Sequence, residues 1–348
     1  MPATVHGCSY PTNAELMQLQ RDLMPRYMEG RLGLDIMPFR NSDADRIIYN
    51  QPDIFRGLQS WRGLGKPARQ TADRLNPFGR NCEALPGYWG EFDTIDEELL
   101  TRGVQPATCS SPLDLTEHMT NLTLRLLERR LNRIEFLIWQ SLAFGRYEAQ
   151  NSLGQIVHEQ SYNVTTISSA IPWSTYATAT PLNDFRVIQL LSRGTSASFG
   201  VNAVAYMNRI TANCLFRNTN PNDVGKAGLT ACCTFMGPDI VNQQFAAQGL
   251  PQIVIYDEGY VADDATFYPY IPNGRVVVVG TRPGNERIGN YVFTRNAVGA
   301  AVSSGPWVKV VDNADRAVPR RIEVFDGHNG GPAIWYPRAI VVLETGCS

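Results

Sequence analysis

Residues of the types that carry catalysis are dispersed along this sequence of 348 residues. The histidines lie in four separate segments, and no two of them stand at the spacing of a helical metal-ligand pair: His6, His118, His158 and His328. The glycine-rich stretch 327–331 follows a predicted strand, but no G-x-S-x-G nucleophile pattern occurs. The sequence therefore gives an enzyme no positive support, although a catalytic triad can also be assembled from distant segments.

One stretch, residues 276–289 with the sequence VVVVGTRPGNERIG, superficially resembles the strand and glycine turn of a dinucleotide site. Its glycines, Gly280, Gly284 and Gly289, do not have the G-x-G-x-x-G spacing, and Pro283 interrupts the turn. The residues that follow predict a strand, whereas a phosphate site needs the N-terminus of a helix. A soluble α/β enzyme or nucleotide-binding protein that uses this loop is the alternative function.

Neither the acidic residues nor the cysteines form a recognisable metal site. Asp257, Glu258, Asp263 and Asp264 share one predicted turn, but their spacing is not that of a calcium loop, which favours a solvated acidic loop over a cation site. The seven cysteines include no C-x-x-C pair: Cys8, Cys82, Cys109, Cys214, Cys232, Cys233 and Cys347. We expect no metal and no cofactor, and we expect reduced thiols, as in a protein assembled in a cytoplasm.

Composition restricts the class of protein. The formal net charge of -2 argues against tight nucleic-acid binding through the overall field of the protein. Only three of the 31 basic residues are lysines, Lys66, Lys226 and Lys309. Arginine suits contacts to carboxylates at protein interfaces, but a GC-rich genome produces the same bias. The length predicts two domains, or one domain with large excursions. Neither a signal peptide nor an apolar run long enough for a membrane helix occurs.

Two segments before residue 96 cannot form a hydrophobic core by themselves. Asn13 to Arg26 predict a short amphipathic helix, an arm that must pack on its own subunit or on a neighbour. From Arg46 the extended pattern predicts a long hairpin that returns through residues 83–95. Its outer half has six basic residues against the single acid Asp73: Arg56, Arg62, Lys66, Arg69, Arg74 and Arg80. This projection is a mobile surface loop or a partner contact, and DNA is the less favoured partner because aromatic residues are not interleaved.

The clearest predicted element is a helix of residues 113–144, about 48 Å long at roughly 1.5 Å per residue. Ser111 is its predicted N-cap, Pro112 its first residue and Gly145 its stop signal. Its apolar stripe has a helical period: Leu115, Met119, Leu122, Leu126, Leu127, Leu131, Ile134, Ile138 and Leu142. The opposite side is predicted to carry Arg125, Glu128, Arg129, Arg130 and Arg133. A helix with this pattern is typical of one that supports a large face of the molecule along its length. A segment of a coiled coil is the alternative interpretation.

The rest of the chain predicts a mixed α/β unit and then returning strands. Residues 155–164 alternate as a strand or hairpin arm, and residues 171–181 predict a connector. Helices are predicted at 181–194, at 201–218 with an extended start up to Met207, and at 238–248. Strands are predicted at 252–261, 274–280, 305–312, 320–327 and 333–346. The last, apolar strand has to rejoin an existing sheet, which makes one unit discontinuous in sequence.

The predicted elements follow one another as an arm, a basic hairpin, a long helix, a strand pair, an α/β unit and returning strands. This order resembles that of the major capsid proteins of tailed phages with the Hong Kong 97 fold, in detail the lambda-like major capsid protein E family. RIIYNQPDIFRGL and ALPGYWGEFDTI resemble the strands of that family's E-loop, and LLERRLNRIEFLIWQSLAFGRYE resembles its spine helix. TFYPYIPNGRVVVVGTRPGNERIGNYVFT resembles an A-domain segment, and PRRIEVFDGHNGGPAIWYPRAIVVLETG resembles the closing P-domain strands. The collinear order carries the resemblance.

The resemblance implies an α+β fold with an N-arm, E-loop, P-domain and A-domain. We expect the N-terminal arm at 1–42, the E-loop hairpin at 43–95, the P-domain with its β-sheet at 96–180 with the spine helix at 112–145, the mixed α/β A-domain at 181–292, and return strands of the P-domain at 293–348. It also implies that the basic residues of the hairpin contact neighbouring subunits, namely Arg56, Arg62, Lys66, Arg69, Arg74 and Arg80.

The function implied by the resemblance is structural. The chain would assemble into pentamers and hexamers that form the icosahedral head around the phage genome, as a virion protein assembled in the host cytoplasm. Implied partners are a portal, a decoration protein and packaged double-stranded DNA contacted weakly and non-specifically, with no membrane. We expect a separate scaffolding protein because the chain begins almost directly with the arm. Lysine to asparagine crosslinking is not expected, because Lys66 is the only lysine of the hairpin.

Overall fold

The computed structural model describes residues 3–5, 8–51, 80–96, 98, 100, 113–150, 155–195, 197–220, 237–262, 264–282, 286–298, 302–313 and 319–347. The chain divides into two compact units, each assembled from three stretches. Unit 1 comprises Met1–Ile47, Leu85–Glu135 and Tyr291–Gly331. Unit 2 comprises Ile48–Ala84, Phe136–Asn290 and Pro332–Ser348.

The helices of the described residues begin and end at recognisable signals. Thr12 and Glu15 form a capping box at the start of the first helix, each side chain accepting a backbone N–H of the other. Gly145 follows the third helix with φ of 67°, a left-handed conformation that ends helices. The helices are α1 (Asn13–Met28), α2 (Leu32–Ile36), α3 (Thr116–Phe144), α4 (Pro181–Leu191), α5 (Arg209–Phe216) and α6 (Pro238–Ala247), with a 3-10 turn at Pro337–Ala339. None of these has the length and apolar character that crossing a membrane requires.

The strands of the described part of the chain form two larger sheets and several small ones. In chain order they are β1 (Ala3–Val5), β2 (Cys8–Tyr10), β3 (Phe39–Asn41), β4 (Ile47–Gln51), β5 (Arg80–Ala84), β6 (Gly87–Asp96), β7 (Leu113–Asp114), β8 (Arg146–Gln150), β9 (Ile156–Ser161), β10 (Thr165–Ser168), β11 (Val204–Met207), β12 (Gln252–Ile255), β13 (Gly259–Val261), β14 (Phe267–Pro269), β15 (Arg275–Val279), β16 (Gly289–Phe293), β17 (Arg295–Asn296), β18 (Ser303–Ser304), β19 (Trp307–Asp312), β20 (Arg321–Ile334) and β21 (Ile340–Glu344). One larger sheet has the order β19-β20-β16-β3, with β6 also paired to β20. The other has the order β10-β21-β15-β11-β12.

Unit 1 is organised around the long strand β20. β6 runs antiparallel to β20 with Phe92 opposite Phe325, and β19 runs antiparallel to it as well. Because alternate residues of a strand point to opposite faces, one face of these three strands is apolar and packs against α1 and α3. The buried cluster on that face consists of Tyr10, Leu16, Ile95, Leu100, Leu115, Met119, Leu126, Val308, Ile322 and Val324.

Unit 2 is a mixed sheet between two helical layers. β21 runs parallel to β10 and antiparallel to β15, while β11 runs parallel to β12 and antiparallel to β15. On one face, Met207 of β11 shares a core cluster with Phe185 of α4 and Phe245 of α6. On the other face, Tyr206 contacts Trp139 of α3, with 5.3 Å between the ring centroids. The α/β character predicted after residue 181 is therefore confirmed.

Most predicted helices and strands are present. Their observed bounds differ from the predicted ones where a segment pairs with a strand that is distant in sequence. The long helix begins at Thr116 rather than at 112 or 113, because Leu113 and Asp114 pair with Cys8 and Ser9 in a parallel ladder. Ser111 and Pro112, its predicted start, lie outside the described residues. The helix predicted at 201–218 with an extended start up to Met207 begins at Arg209, and Val204–Met207 form an interior strand of the unit 2 sheet, between β12 and β15.

The closing strand β21 lies in the interior of the unit 2 sheet. Its neighbours are Thr165–Ser168 and Arg275–Val279, so a discontinuous unit, as predicted, is present. This one sheet draws strands from three of the predicted divisions, 96–180, 181–292 and 293–348. The domain bounds themselves stay a prediction.

The expectation that all thiols are reduced is wrong for one pair. Cys214, at the end of α5, and Cys347 form a disulfide, although 133 residues separate them in sequence. Both are buried in the core of unit 2, because β21 and the residues after it return to the same layer as α5. Sequence spacing carries no information about such a pairing, since only the fold brings the two Cα atoms to 6.5 Å.

Candidate functional site

Five of the six basic hairpin residues predicted as subunit contacts, Arg56, Arg62, Lys66, Arg69 and Arg74, lie outside the described residues. Arg80, the sixth, is the first residue of β5, which pairs with β4 at the base of the hairpin. The role of these residues in subunit contacts stays a prediction. The candidate functional residues that the structure describes therefore lie in unit 1 and unit 2 and not in the outer half of the basic hairpin.

The predicted arm packs on its own subunit through a buried charge network. Arg130 of α3 donates from Nη1 to both carboxylate oxygens of Asp326 of β20, at 2.8 and 2.7 Å. Gln20 of α1 forms hydrogen bonds with both members of this pair. Its Oε1 accepts from Arg130 Nη2 at 3.0 Å, and its Nε2 donates to Asp326 at 2.6 Å. The Arg130 and Asp326 side chains are only 3% and 2% exposed. Helix α1 is therefore fixed to α3 and β20 by polar contacts inside the unit.

The prediction that Arg130 lies on the outer side of the long helix with its arginine neighbours is wrong. Each helical residue is rotated by about 100° from the one before, so Arg130 points to the sheet although Arg129 points to solvent. Burial raises the pKa of the Asp326 carboxyl, and the Arg130 charge and its hydrogen bonds oppose that rise. Beside the pair, burial holds the pKa of His328 well below its ordinary value, and His328 Nε2 lies 2.9 Å from the hydroxyl of Tyr291.

A second buried contact holds the segment that follows the arm helix. Glu135 of α3 accepts the backbone N–H of Gly33 at 2.7 Å, at the start of α2. A Cβ at position 33 would lie 2.8 Å from the Glu135 carboxylate oxygens, so only glycine allows this approach without a shift. Sequence analysis missed Glu135, which stands beside the apolar helix residues Ile134 and Phe136.

Three side chains of α3 and three of β6 form a regular ladder at the surface of unit 1. Arg125 contacts Asp93 at 3.1 Å, and Arg129 binds Glu91 through two hydrogen bonds. The guanidinium of Arg133 lies 5.1 Å from the ring centroid of Trp89. Four helical residues rise about 6 Å and two strand residues about 6.6 Å, so the two spacings match along an antiparallel helix and strand. We call these six residues the surface ladder.

Charge reversal in the surface ladder is expected to have a small, salt-sensitive effect. Arg129→Glu places two like charges together and should lower the free energy of unfolding by about 0.5 to 1 kcal/mol at low salt, since both partners are roughly half exposed. The double variant Glu91→Arg, Arg129→Glu should regain most of that loss. Urea unfolding at low and high salt measures both, and a loss that persists unchanged at high salt would contradict a screened ion pair.

The other face of the same strands is aromatic and open. Tyr88 and Phe92 of β6 are 75% and 58% exposed. Phe92 stacks on Phe325 with 5.1 Å between the ring centroids. The indole of Trp307 lies against Gly327, where a Cβ would meet its Cζ2 at 2.5 Å. Contiguous exposed aromatic side chains of this kind mark protein interaction surfaces.

The residues that could have carried chemistry do not come together in the described parts of the chain. Residues 280–282 and 286–288 form no helix, and Gly289 begins a strand, so the described part of the loop of the alternative nucleotide site offers no helix N-terminus. In the acidic turn, Asp257 pairs with Arg209 at 3.4 Å and Asp264 accepts the Thr266 N–H. No group of three or more potential metal ligands occurs in the part of the chain that the structure describes.

Comparison with known proteins identifies the fold. No protein-family model and no curated protein matches the sequence. The structure matches a phage-related protein from Bordetella bronchiseptica with a TM-score of 0.53 and 11% identity, over 96% of this chain and 97% of that chain. It matches the proposed capsid protein of an Escherichia coli CFT073 prophage with a TM-score of 0.56 and 14% identity, over 95% and 98%. Since the likeness spans nearly all of both chains, this chain has the Hong Kong 97 phage capsid fold.

Proposed function

We propose that this chain is the major capsid protein of a tailed phage, a structural subunit without catalytic activity. The observation that carries the proposal is the match of nearly the whole chain to the proposed capsid protein of the prophage. Fold alone does not fix function. The proposal therefore also rests on surface features of this chain that a protein working as a monomer does not need.

Apolar side chains are exposed on many separate elements of the two units. A scattered exposed leucine is ordinary, but rows of them on strands and helices indicate surfaces that other chains cover. The exposed apolar side chains include Ile48, Leu85, Tyr88, Phe92, Ile156, Val157, Val187, Leu190, Leu191, Val261, Phe267 and Tyr268. A subunit of a closed shell has neighbours on several sides, which accounts for several such surfaces at once.

In the proposed assembly, the chain forms pentamers and hexamers that close into an icosahedral head around the genome. The virion is its final location, after assembly in the host cytoplasm. A separate scaffolding protein, a portal and a decoration protein are the further partners, and packaged double-stranded DNA is contacted weakly and non-specifically. The small net charge of -2 agrees with a weak contact of this kind.

Electron microscopy of the purified chain, alone and with the proposed scaffolding protein, tests the proposed function. Closed particles or rings of five and six subunits are the expected result. Analytical ultracentrifugation of the same samples gives the mass of the assembly. Monomers at every concentration, with and without the scaffolding protein, would rule the proposal out.

The basic residues of the hairpin are expected to act in assembly rather than in folding. A triple variant Arg62→Glu, Arg69→Glu, Arg74→Glu should reduce the yield of particles by at least about tenfold, because like charges placed at an interface cost several kcal/mol. The charge-conserving variant with lysine at the same three positions is the matched control. Circular dichroism should give the same unfolding curve for all three proteins, and an undiminished particle yield of the glutamate variant would refute the role.

A further inference from the structure

Helix α4 has apolar side chains towards solvent as well as towards the core of unit 2. Its core side packs Phe185 and Ile188. Val187, Leu190 and Leu191 are exposed, whereas a surface helix normally has polar residues there. Two exposed arginines flank them, and one of these, Arg186, donates to Gln248 at 3.0 Å. We call Arg186, Val187, Leu190, Leu191 and Arg193 the helix patch.

The hairpin β13–β14 has a surface of the same apolar character and the opposite charge. Val261, Phe267 and Tyr268 are exposed on its two strands. Glu258 precedes the first strand, Asp264 lies in the turn, and both are exposed. Asp257 beside them is already paired with Arg209 and is not counted. Val261 and Phe267 are paired across the two strands and share one face, whereas Tyr268 is paired with Tyr260 on the opposite face. We therefore call Glu258, Val261, Asp264 and Phe267 the hairpin patch.

Hydrogen bonds and a ring contact order the described residues of the hairpin before any partner binds. Its turn is closed by hydrogen bonds from Ala262 N to the Thr266 carbonyl at 3.0 Å and from Ala265 N to the Ala262 carbonyl at 2.9 Å. Tyr260 stacks on Tyr268 with 5.6 Å between the ring centroids. A surface ordered in advance loses little conformational entropy on binding, so its apolar area contributes more fully to affinity.

The two patches belong to opposite layers of the unit 2 sheet. Met207 of β11 packs in the core cluster that contains Phe185 of α4. The preceding residue, Tyr206, points to the other face and contacts Trp139 of α3. Tyr260 of the hairpin also contacts α3, so the hairpin lies on that second face. Surfaces on opposite layers of one unit can meet only in two different copies, and such a contact repeats from copy to copy.

We infer that the helix patch of one copy docks on the hairpin patch of a second copy, in the head-to-tail contact that closes the rings of this capsid subunit. The apolar side chains of the two patches cover each other, and the arginines of one face the carboxylates of the other. A contact between different surfaces generates a ring when its rotation closes, whereas a contact between identical surfaces stops at a dimer. The inference rests on the proposed function and names the residues of one of its interfaces.

Charge reversal on each patch alone, and on both together, tests this contact. The helix-patch variant is Arg186→Glu, Arg193→Glu, and the hairpin-patch variant is Glu258→Arg, Asp264→Arg. Each should lower the particle yield by at least about tenfold, because it brings like charges together. The chain with all four substitutions restores opposite charges and should regain particles. Arg186→Lys, Arg193→Lys is the charge-conserving control, and unchanged thermal unfolding shows that each variant folds.

Mixing the two single-patch variants distinguishes this contact from every contact between identical surfaces. A helix-patch variant and a hairpin-patch variant complement each other only in strict alternation around a ring. Alternation closes rings of six but not rings of five, so the mixture should give hexamers, sheets or tubes without closed shells in electron micrographs.

The outcomes separate the inference from the proposed function. Wild-type particles together with normal yields from both single-patch variants would overturn the inference and leave the capsid function standing. Loss of assembly in all variants without rescue by the fourfold substitution would equally overturn it, because the two patches would then meet other partners. A wild-type chain that never forms rings or particles would overturn both.

Discussion

Replacing Asp326 by alanine is expected to lower the free energy of unfolding by about 3 to 5 kcal/mol, the usual cost of leaving one charge of a buried pair without its partner. Arg130 would keep its charge at a position where 3% of its side chain is exposed. Gln20 would remain as an acceptor at 3.0 Å, but an amide oxygen does not neutralise a guanidinium. Urea unfolding monitored by circular dichroism measures the loss directly.

The matched control removes both charges at once. Arg130→Met combined with Asp326→Leu should cost far less than Asp326→Ala, because no buried charge is left uncompensated. Gln20→Ala should cost about 1.5 to 3 kcal/mol, since it removes hydrogen bonds to charged groups. A urea midpoint of Asp326→Ala equal to that of the wild type would mean that the network does not hold α1 in place.

One helix therefore carries electrostatic contacts of two kinds, and burial decides their strength. Arg129 and Arg130 are adjacent in sequence and each binds a carboxylate. The Arg129 pair is about half exposed and screened by water and salt, so its loss is tolerated. The Arg130–Asp326 pair is buried away from water. Its two charges therefore stabilise the unit only when both are present, because either charge alone would be uncompensated. We therefore expect the arm helix and the parts of the long helix and β20 that lie in unit 1 to unfold together.

The fold was predictable where local pattern and tertiary structure agree. The 3.6-residue period of the apolar stripe identifies α3, and Gly145 identifies its end because a left-handed residue follows the last turn. The predicted arm helix has its capping residues, Thr12 and Glu15, in the sequence itself. The predicted start of the long helix fails at Leu113, which pairs with a distant strand instead, because ladder hydrogen bonds outweigh weak helix propensity.

The buried network was not predictable from the sequence. Asp326 stands before a glycine-rich stretch and resembles a turn residue, while its partner Arg130 lies 196 positions away. Periodicity assigned Arg130 to the outer side of α3 because charged residues are expected to face solvent. Two adjacent helix residues differ by about 100° in direction, so the sequence leaves open whether Arg129 or Arg130 turns towards the sheet. Nothing in the sequence says which carboxylate receives it.

Removing the disulfide is expected to lower the free energy of unfolding by about 5 kcal/mol, because the bond closes a loop of 133 residues and restricts the unfolded chain. The variant is Cys214→Ala with Cys347→Ala, since alanine leaves no polar group in the core. Both positions are buried, so alkylation of the folded protein should leave them unlabelled. Peptide mapping after unfolding without reductant should also leave them unlabelled, because the bond persists.

Cys82 offers the matched control, since it is partly exposed and is not part of the Cys214–Cys347 disulfide. Cys82→Ala should leave the urea midpoint within the spread of surface substitutions, about 0.5 kcal/mol. Reductant should lower the midpoint of the wild type and of Cys82→Ala alike, and should have no effect on the double alanine variant. Equal midpoints for all three proteins with and without reductant would mean that the bond is absent in solution. The buried layer of α5 and β21 would then be held by apolar packing alone.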